Sequence, residues 1–357
     1  MSEPTPTIRA FGEADGDLPQ LAGRIVAFIG YGNQGRAQAL NLRDSLRAAS
    51  LDGDVRILVG TLRDETWTQA EADGFPVRPL SDAAEVADVL FLLIPDEELP
   101  QVFDQQIAPR LNANDAIVFA SGYNLAFEGL TPAADVDVLM VAPRMIGRQM
   151  RQLFEQGKGF YSYLSVEQDA SGRAWPTVLA LAKGIGTLSA IGGGAFELSA
   201  RDEAVLDLFH EQAFGSILGV ALLMMLEVGQ QAGLPPEALV LDYYLSGEIA
   251  ESMQAMAGLG FVEQARLHSR TSQYGGMMRT FALDREPIRQ HLQRVIDEIR
   301  SGEFARQWAA ERATGCENFE RLRELGAARN PFTPIEQRIR AALREAQSRS
   351  KSGRKQD

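Results

Sequence analysis

The sequence predicts a doubly wound α/β domain in the first half of the chain, followed by an all-α domain. Continuous apolar runs alternate with helical patterns up to about residue 190, a glycine-rich turn joins the first run to a helix, and only helical patterns follow residue 200. Strands that alternate with helices form βαβ units, and such units build a parallel sheet with helices on both faces.

The predicted strands are continuous apolar runs, which indicates strands that are buried on both faces of a sheet. They are IVAFIG (25–30), VRILVG (55–60), VLFLLIP (89–95), AIVFAS (116–121), VLMVAP (138–143) and, as a sixth, YLSV (163–166). A segment of helical pattern lies between neighbouring runs, so parallel pairing is expected.

The later patterns are helical and cover residues 200–233, 235–258 and 285–313. Within the first of them, ALLMMLEV is too apolar for a solvated helix and predicts a core or a dimer interface. These patterns divide the chain into a flexible N-terminal segment (1–20), the α/β domain (21–192), the helical domain (193–345) and a disordered tail (346–357).

Composition restricts the class of protein. The net charge of −13 argues against nucleic acid or an anionic membrane as a partner. The start of the chain has no basic segment followed by an apolar run, so no secretory signal is predicted. The longest unbroken apolar run, Val220 to Leu226, is too short to span a bilayer. A single cysteine and these absences predict a soluble cytoplasmic protein.

The turn after the first predicted strand reads GYGNQG, with glycines at Gly30, Gly32 and Gly35. This spacing, between a strand and a helix, is typical of dinucleotide-binding Rossmann domains. The first glycine permits the tight turn, the second lets a pyrophosphate approach the backbone, and the third allows close packing of helix on strand. The helix that begins near Asn33 would hold the phosphate, and the intervening Tyr31 and Gln34 complete the predicted cofactor turn.

The end of the second predicted strand is where the adenosine ribose of a dinucleotide is expected. Asp64 and Glu65 lie there, and acidic side chains disfavour the 2′-phosphate of NADPH, which favours NADH. Arg63 can stack on the adenine, and Arg63 or Thr66 can contact a phosphate, so NADPH also remains open. A solvated acidic turn without a ligand is the alternative.

Several motifs, in order along residues 20–345, resemble ketol-acid reductoisomerase in its short form. They are GYGNQGRAQALNLRDS, LLIPDE, VDVLMVAP, EQDASG, AKGIG, DLFHEQ and SGEFARQW. The resemblance implies a Rossmann domain, a knotted helical domain that builds a homodimer, and active sites at the subunit interface. It also assigns Pro95 and Asp96 to the cofactor site. In this family two Mg²⁺ ions support an alkyl migration within a hydroxy-keto acid, and a nicotinamide then reduces the product.

The same resemblance assigns metal ligands. It implies Asp207 and Glu211, one helical turn apart, and Glu248 from a later helix. The carboxylate that should precede Glu248 by one turn is replaced by Tyr244, and a phenol is a poor Mg²⁺ ligand beside carboxylates. We therefore expect at most one well-held Mg²⁺.

The catalytic positions also depart from the family pattern. Ser121, in FASGY, stands where the family has histidine, and Arg144, in VAPRMIG, stands where it has lysine. A serine hydroxyl cannot exchange protons near neutral pH as imidazole does, and arginine keeps its proton. Ser269 matches the serine that binds the substrate carboxylate. With Glu248, these three residues form the predicted catalytic set.

The departures from the family pattern, at Ser121, Arg144 and Tyr244, fall on the predicted catalytic and metal-binding positions, whereas the glycine turn for the cofactor matches the family. The sequence therefore predicts an NAD(P)H-dependent reductase of a small anionic substrate, a 2-keto acid, related carbonyl or imine, with the alkyl migration lost or altered. Two alternatives remain: an authentic Mg²⁺-dependent ketol-acid reductoisomerase, and a catalytically silent dinucleotide-binding subunit.

Overall fold

The structure is a computed structural model that describes the backbone of residues 8–353 and the side chains of residues 8–348. Two compact units divide after Asp207, rather than after residue 192 as the sequence patterns suggested. Residues 1–7 of the predicted flexible segment and 354–357 of the predicted tail lie outside the described residues.

The first unit contains a sheet of nine strands. They are β1 Ala10–Phe11, β2 Ile25–Ile29, β3 Arg56–Gly60, β4 Val77–Arg78, β5 Val89–Leu92, β6 Ala116–Phe119, β7 Asp137–Pro143, β8 Tyr161–Gln168 and β9 Gly194–Glu197. The six predicted strands correspond to β2, β3, β5, β6, β7 and β8. The short strands β1, β4 and β9 were missed, because two to four residues carry too little apolar pattern to be recognised.

The strand order is β1-β9-β8-β7-β6-β5-β2-β3-β4. From β7 to β4 the neighbouring strands are parallel, which is the doubly wound arrangement that the sequence predicted. At one side the sheet is mixed, since β8 runs antiparallel to β7 and β1 runs antiparallel to β9. The apolar pattern of a buried strand does not depend on whether the strand runs parallel or antiparallel to its neighbour, so the sequence does not predict the direction of β8.

The N-terminal residues that the sequence assigned to a flexible segment are ordered from residue 10 onward. β1 pairs with β9, and 3₁₀ helices follow at Glu13–Asp15 and Leu18–Leu21. The buried side chain of Leu21 and the packing of Phe11 against Trp175 anchor this segment to the sheet. Pairing with a distant strand supplies the order that the polar local sequence does not predict.

The helices of the first unit are α1 Asn33–Ala48, α2 Glu65–Ala72, α3 Leu80–Val86, α4 Leu99–Val102, α5 Tyr123–Phe127, α6 Gly147–Glu155, α7 Ala174–Gly184 and α8 Ala200–Phe209, the last of which continues past the division. A π-helical turn at Phe103–Ile107 and a 3₁₀ turn at Ala108–Arg110 extend α4. Alternate residues of β2 face opposite sides of the sheet: Val26 and Phe28 join one buried cluster, and Ala27 and Ile29 another.

The second unit is helical throughout its described residues. Its α-helices are α9 Gly215–Gln231, α10 Pro236–Val240, α11 Glu248–Leu259, α12 Arg270–Ala282, α13 Glu286–Arg300, α14 Glu303–Ala313, α15 Glu317–Ala328 and α16 Phe332–Gly353, with π-helical turns at His210–Phe214 and Leu241–Leu245 and a 3₁₀ helix at Glu263–Leu267. Residues 346–353, assigned by the sequence to a disordered tail, continue α16.

The helical unit has a small core of its own. Its buried apolar cluster consists of Leu226, Val240, Tyr243, Ile335 and Ile339. By contrast, many large apolar side chains of α9, α11 and α12 are exposed, among them Leu218, Leu223, Met224, Met225, Val228, Met253, Met277 and Met278. Soluble monomeric domains rarely expose so many large apolar side chains on neighbouring helices.

One continuous helix in the described part of the chain, Ala200–Gln231, is long and apolar enough to cross a membrane by length and composition alone. The apolar residues of this helix are interspersed with polar ones, so no unbroken apolar run of its length marks it in the sequence. Because only 11% of its most apolar window is buried, this helix contributes to the exposed apolar surface of the unit.

Replacing Gly35 with alanine is predicted to destabilise the first unit. A Cβ atom at residue 35 would lie 2.2 Å from the carbonyl oxygen of Gly30, whereas a Cβ atom at Gly32 would meet no atom within 4 Å. We expect Gly35→Ala to lower the free energy of unfolding by about 1–3 kcal/mol. We expect the matched Gly32→Ala variant to stay within about 0.5 kcal/mol of the unsubstituted protein. Urea unfolding of the cofactor-free protein measures both, and equal stabilities would contradict the close contact.

Candidate active site

The candidate site begins where the strand order reverses, between β2 and β5. At such a switch point the loops after neighbouring parallel strands diverge, and ligands bind in the crevice outside their carboxyl ends. A cavity of about 840 Å³ lies there. Its walls include the turn after β2, the end of β3, the turn after β5 and the start of α4: Gly30, Tyr31, Gly32, Asn33, Gln34, Thr61, Leu62, Asp64, Thr66, Leu93, Ile94, Pro95 and Glu98.

The three glycines of the turn have different surroundings. Gly30 has a φ of +96°, and a Cβ atom there would lie 2.5 Å from the carbonyl oxygen of Leu93, so the turn after β2 touches the turn after β5. Gly35 packs against Gly30 in the same way. Gly32, the residue before α1, is instead open to the cavity. The two close contacts shape the turn, and the open glycine leaves room for a ligand at the N-terminus of α1.

The other residues of the turn are held by hydrogen bonds within the first unit. Tyr31 is buried, and its hydroxyl donates to Asp73 at 2.9 Å. The side-chain oxygen of Asn33 accepts from the backbone N–H of Arg148 at 2.9 Å, and the amide of Gln34 donates to the carbonyl oxygen of Met145 at 3.0 Å. Burial and the bond to Asp73 raise the pKa of Tyr31, so this residue stays neutral. The turn is therefore preformed.

The end of β3 presents an acidic group to the cavity. The carboxylate of Asp64 accepts from the backbone N–H of Thr66 at 2.8 Å and from its hydroxyl at 2.6 Å, which caps α2. These hydrogen bonds lower the pKa of Asp64, so it carries its negative charge at neutral pH. Arg63 instead lies over the ring of Trp67, 4.7 Å from its centroid, and is not part of the cavity wall.

The turn after β5 places two predicted residues side by side. Pro95 lines the cavity, and Asp96 follows it. The amide of Asn124 donates to Asp96 at 2.7 Å. Burial, and secondarily the nearby charge of Glu97, raise the pKa of Asp96 to about 6.

A second polar group gathers after β6 and β7. The guanidinium of Arg144, directly after β7, donates to Glu203 at 2.8 Å and also to Asp207. Glu203 is 1% exposed, and its other carboxylate oxygen accepts from the backbone N–H of Gly122 at 2.7 Å. Burial raises the pKa of Glu203 to about 7, although the Gly122 amide and Arg144 act in the opposite direction. Burial lowers the pKa of Arg144, but the bond to Asp207 and the charges of Asp207 and Glu203 outweigh it and raise this pKa above its usual value, so Arg144 remains a cation.

Ser121 adjoins this group, in the turn after β6. Its hydroxyl oxygen accepts from the backbone N–H of Tyr123 at 3.2 Å. The neighbouring Gly122 is packed so closely that a Cβ atom would lie 1.8 Å from the carbonyl oxygen of Ala200. The structure therefore joins the turn after β6 to the start of α8, and it brings Ser121 and Arg144 to the same edge of the sheet.

Three residues of these two polar groups were not predicted from the sequence: Gly122, Asn124 and Glu203. A signal was available for one of them, because Glu203 precedes Asp207 by four positions, the same spacing that directed attention to Asp207 and Glu211. Asn124 and Gly122 carried no such local signal, because their partners lie far away in the chain.

The remaining predicted residues belong to the helical unit. Glu211 lies in the π-helical turn His210–Phe214, and Glu248 is the exposed first residue of α11. The Tyr244 hydroxyl donates to Glu336 at 2.5 Å. Burial and this bond raise the pKa of Tyr244 to about 12, which keeps the phenol neutral. Ser269 caps α12, with its hydroxyl oxygen accepting from the backbone N–H of Ser272 at 3.2 Å.

The predicted metal ligands stay a prediction, because Asp207 ends the first unit whereas Glu211 and Glu248 belong to the second. Among the described residues of one chain, no three histidine, cysteine, aspartate or glutamate side chains are grouped so that they could hold one ion. Mg²⁺ needs several oxygen ligands in near-octahedral geometry. Asp207 is already paired with Arg144, and Tyr244 is bonded to Glu336, so the donor set of this chain does not fit the ion.

Comparison with known proteins gives one consistent family. Residues 20–191 match the model of the acetohydroxy acid isomeroreductase NADPH-binding domain, and residues 201–345 match that of the ketol-acid reductoisomerase C-terminal domain. A relative from Saccharolobus solfataricus, named "Putative ketol-acid reductoisomerase 3", is 39% identical over 336 residues, which is 92% of this chain and 97% of the relative.

Two solved structures are similar to this chain, and one of them is a ketol-acid reductoisomerase. An NADH-preferring ketol-acid reductoisomerase from an uncultured archaeon is similar with a TM-score of 0.83 and 29% identity, over 93% of this chain and 98% of that chain. A semialdehyde dehydrogenase NAD-binding protein from Cupriavidus necator has a TM-score of 0.57 at 19% identity, over 78% of this chain and 99% of that chain, which shows a shared fold alone.

The predicted order of a Rossmann-type domain before a helical domain is confirmed by this structural match. The predicted resemblance is likewise confirmed, because the two family models together cover most of the sequence. The chain belongs to the ketol-acid reductoisomerase family and is an NAD(P)H-dependent oxidoreductase.

Proposed function

We propose that this protein is an NADH-dependent reductase of a small 2-keto acid, a related carbonyl or an imine, and that it does not carry out the alkyl migration. The observation that carries this proposal is the contrast between two turns of the same unit. The turn after β2 retains an open, preformed cofactor cavity, whereas the turn after β6 offers Ser121 where the family has histidine. A hydroxyl with an ordinary pKa neither gives nor takes protons readily at neutral pH.

The reduction step, in which a hydride is transferred to the substrate, needs few groups from the protein. A nicotinamide cofactor supplies the hydride when bound, and the chain must hold it and orient the substrate. Gly32 and the N-terminus of α1 provide space and backbone donors for the pyrophosphate, and the Pro95 turn borders the same cavity. Ser269, at the N-terminus of α12 in the helical unit, stands at the position that the family resemblance gives to the serine of the substrate carboxylate, and its hydroxyl oxygen accepts from the backbone N–H of Ser272.

NADH is the preferred cofactor in this proposal because of Asp64. Its charged carboxylate lines the cavity at the end of β3, where it can accept from a ribose hydroxyl and repel a 2′-phosphate. One solved relative is itself described as NADH-preferring. Arg63, the cation that would favour NADPH, lies over the ring of Trp67 outside the cavity wall.

The exposed apolar surface of the helical unit supports a homodimer. α9 alone exposes Leu223, Met224 and Val228 by 45–61% of their areas, while the unit buries a core cluster of only five apolar side chains. Covering such a surface with a second copy removes it from water, which is the main driving force for stable association. A soluble cytoplasmic dimer follows, with no need for a membrane to cover the helix Ala200–Gln231.

An authentic reductoisomerase is the competing function, and the match of residues 201–345 to the family's C-terminal domain favours it. The two functions differ in one measurable step. A true reductoisomerase converts 2-acetolactate in a reaction that needs Mg²⁺, whereas a reductase acts only on a keto acid that needs no rearrangement.

The proposed function is tested by nicotinamide oxidation in the presence of purified protein. We expect turnover of 3-hydroxy-3-methyl-2-oxobutanoate with NADH, no turnover of 2-acetolactate, and no requirement for Mg²⁺. Mg²⁺-dependent turnover of 2-acetolactate would instead establish the authentic enzyme. If neither compound reacts, a panel of 2-keto acids and imines decides between a reductase of another substrate and a silent subunit that only binds the cofactor.

Replacing Asp64 with asparagine is predicted to weaken the preference for NADH. Asparagine keeps the cap of α2 but removes the charge that repels a 2′-phosphate. We expect the ratio of kcat/KM for NADPH to that for NADH to rise about tenfold, or about 1.4 kcal/mol. Glu65→Gln is the matched control, because Glu65 does not line the cavity. Where activity is too low, cofactor affinities give the same ratio, and equal effects of both variants would contradict the assignment.

The homodimer is predicted to depend on α9. Light scattering after gel filtration should give twice the mass of one chain for the unsubstituted protein. Met224→Glu should shift it toward the monomer, because a charge cannot be buried in an apolar interface without a partner. Leu343→Glu, which also replaces an exposed apolar residue but lies on α16, should leave the dimer intact. A monomeric unsubstituted protein would contradict the proposal.

A further inference from the structure

One guanidinium group joins two carboxylates at the carboxyl end of the sheet. Arg144 donates from one terminal nitrogen to Glu203 at 2.8 Å and from the other to Asp207. Glu203 and Asp207 lie one turn apart on α8 and so face the same side. The planar fork of arginine presents two N–H groups in different directions, which lets a single side chain bond both acids.

The arrangement is held from several directions. Glu203 is fixed by the backbone N–H of Gly122 at 2.7 Å, so its carboxylate cannot turn away from Arg144. The guanidinium also lies 5.4 Å from the ring centroid of Tyr163, which supplies a further attraction for the cation. A buried carboxylate without a partner is strongly unfavourable, so the pairing with Arg144 stabilises the buried Glu203.

The ion pair between Arg144 and Asp207 uses the carboxylate that a divalent cation would need as a ligand. Asp207 is the first residue of the metal pair that the family resemblance implies, and Arg144 already neutralises it. A metal ion on the same carboxylate would lie within a few ångströms of a permanent positive charge. Lysine, which stands here in the family, places one compact charge on a flexible stem and cannot hold both acids with a planar fork.

We propose that Arg144 is a resident cation that takes the place of a divalent metal, so that this site excludes Mg²⁺ and supports reduction without a metal. The exclusion of metal rests on the geometry of Arg144, Glu203 and Asp207 alone. The second part rests on the proposed reductase function and is measured separately.

The metal part is tested with Mn²⁺ as a spectroscopic probe, using the full-length, cofactor-free protein. The free Mn²⁺ signal in electron paramagnetic resonance falls when the ion binds to protein. We expect the unsubstituted protein to leave this signal unchanged at millimolar Mn²⁺. We expect Arg144→Met, which removes the charge and leaves the two acids unpaired, to bind Mn²⁺ at least tenfold more tightly, with Mg²⁺ competing.

The matched control is Arg173→Met, which removes the same charge outside the cluster. Arg173 precedes α7 and adjoins the loop that bonds Asp137 at the start of β7, whereas Arg144 follows the end of that strand. This control should not gain affinity for Mn²⁺. If Arg144→Met does not fold, as judged by circular dichroism, Arg144→Lys replaces it, because lysine keeps a charge but can hold only one acid closely.

The outcomes separate the two proposals. Tight binding of Mn²⁺ by the unsubstituted protein would overturn the proposal that Arg144 excludes the metal. An Arg144 variant that folds and still binds no Mn²⁺ would overturn it as well, because something other than Arg144 would then exclude the metal. Loss of reductase activity after removal of metals with a chelator would overturn metal-independent reduction. A protein without any reductase activity would contradict the proposed function but leave the Mn²⁺ result valid.

Discussion

The first unit depends on a close approach of backbone at the carboxyl ends of β2 and β5. Gly30 and Gly35 allow the turn after β2, the start of α1 and the carbonyl oxygen of Leu93 to meet with no room for a Cβ atom. The connections that follow β2 and β5 pass to opposite sides of the sheet at this point. The turns after these two strands therefore touch at the sheet edge and diverge beyond it, which leaves a cavity between them. The proposed cofactor position is thus a consequence of how the sheet is connected.

Electrostatics dominate the neighbouring edge of the sheet. Arg144 connects the end of β7 to α8, and Glu203 connects α8 to the turn after β6 through Gly122. These bonds attach α8 to the first compact unit, which ends at Asp207, whereas β9 is attached to it by pairing with β8 and β1. The family resemblance assigns Asp207 to a metal ion. Because Asp207 is paired with Arg144, the bond that holds α8 in place also uses the carboxylate that such an ion would bind.

The helical unit illustrates a different constraint. Its five-residue core cluster is small for a unit of this length, and the most apolar helix, α9, exposes one residue after another. A surface of this kind is stable in water only when something covers it. The proposed homodimer satisfies this requirement, and it accounts for an apolar pattern that neither a solvated helix nor a closed core explains.

The sequence by itself determined the features that depend on neighbours in the chain. The apolar runs of β2, β3 and β5–β8, the glycine spacing of the cofactor turn and the long helical patterns were all recognisable, because local periodicity reports burial. The direction of β8, the pairing of β1 with β9 and the polar group around Arg144 were decided only by the tertiary structure. Glu203 bonds partners 59 and 81 positions away, and no local pattern records which distant groups a buried charge will meet.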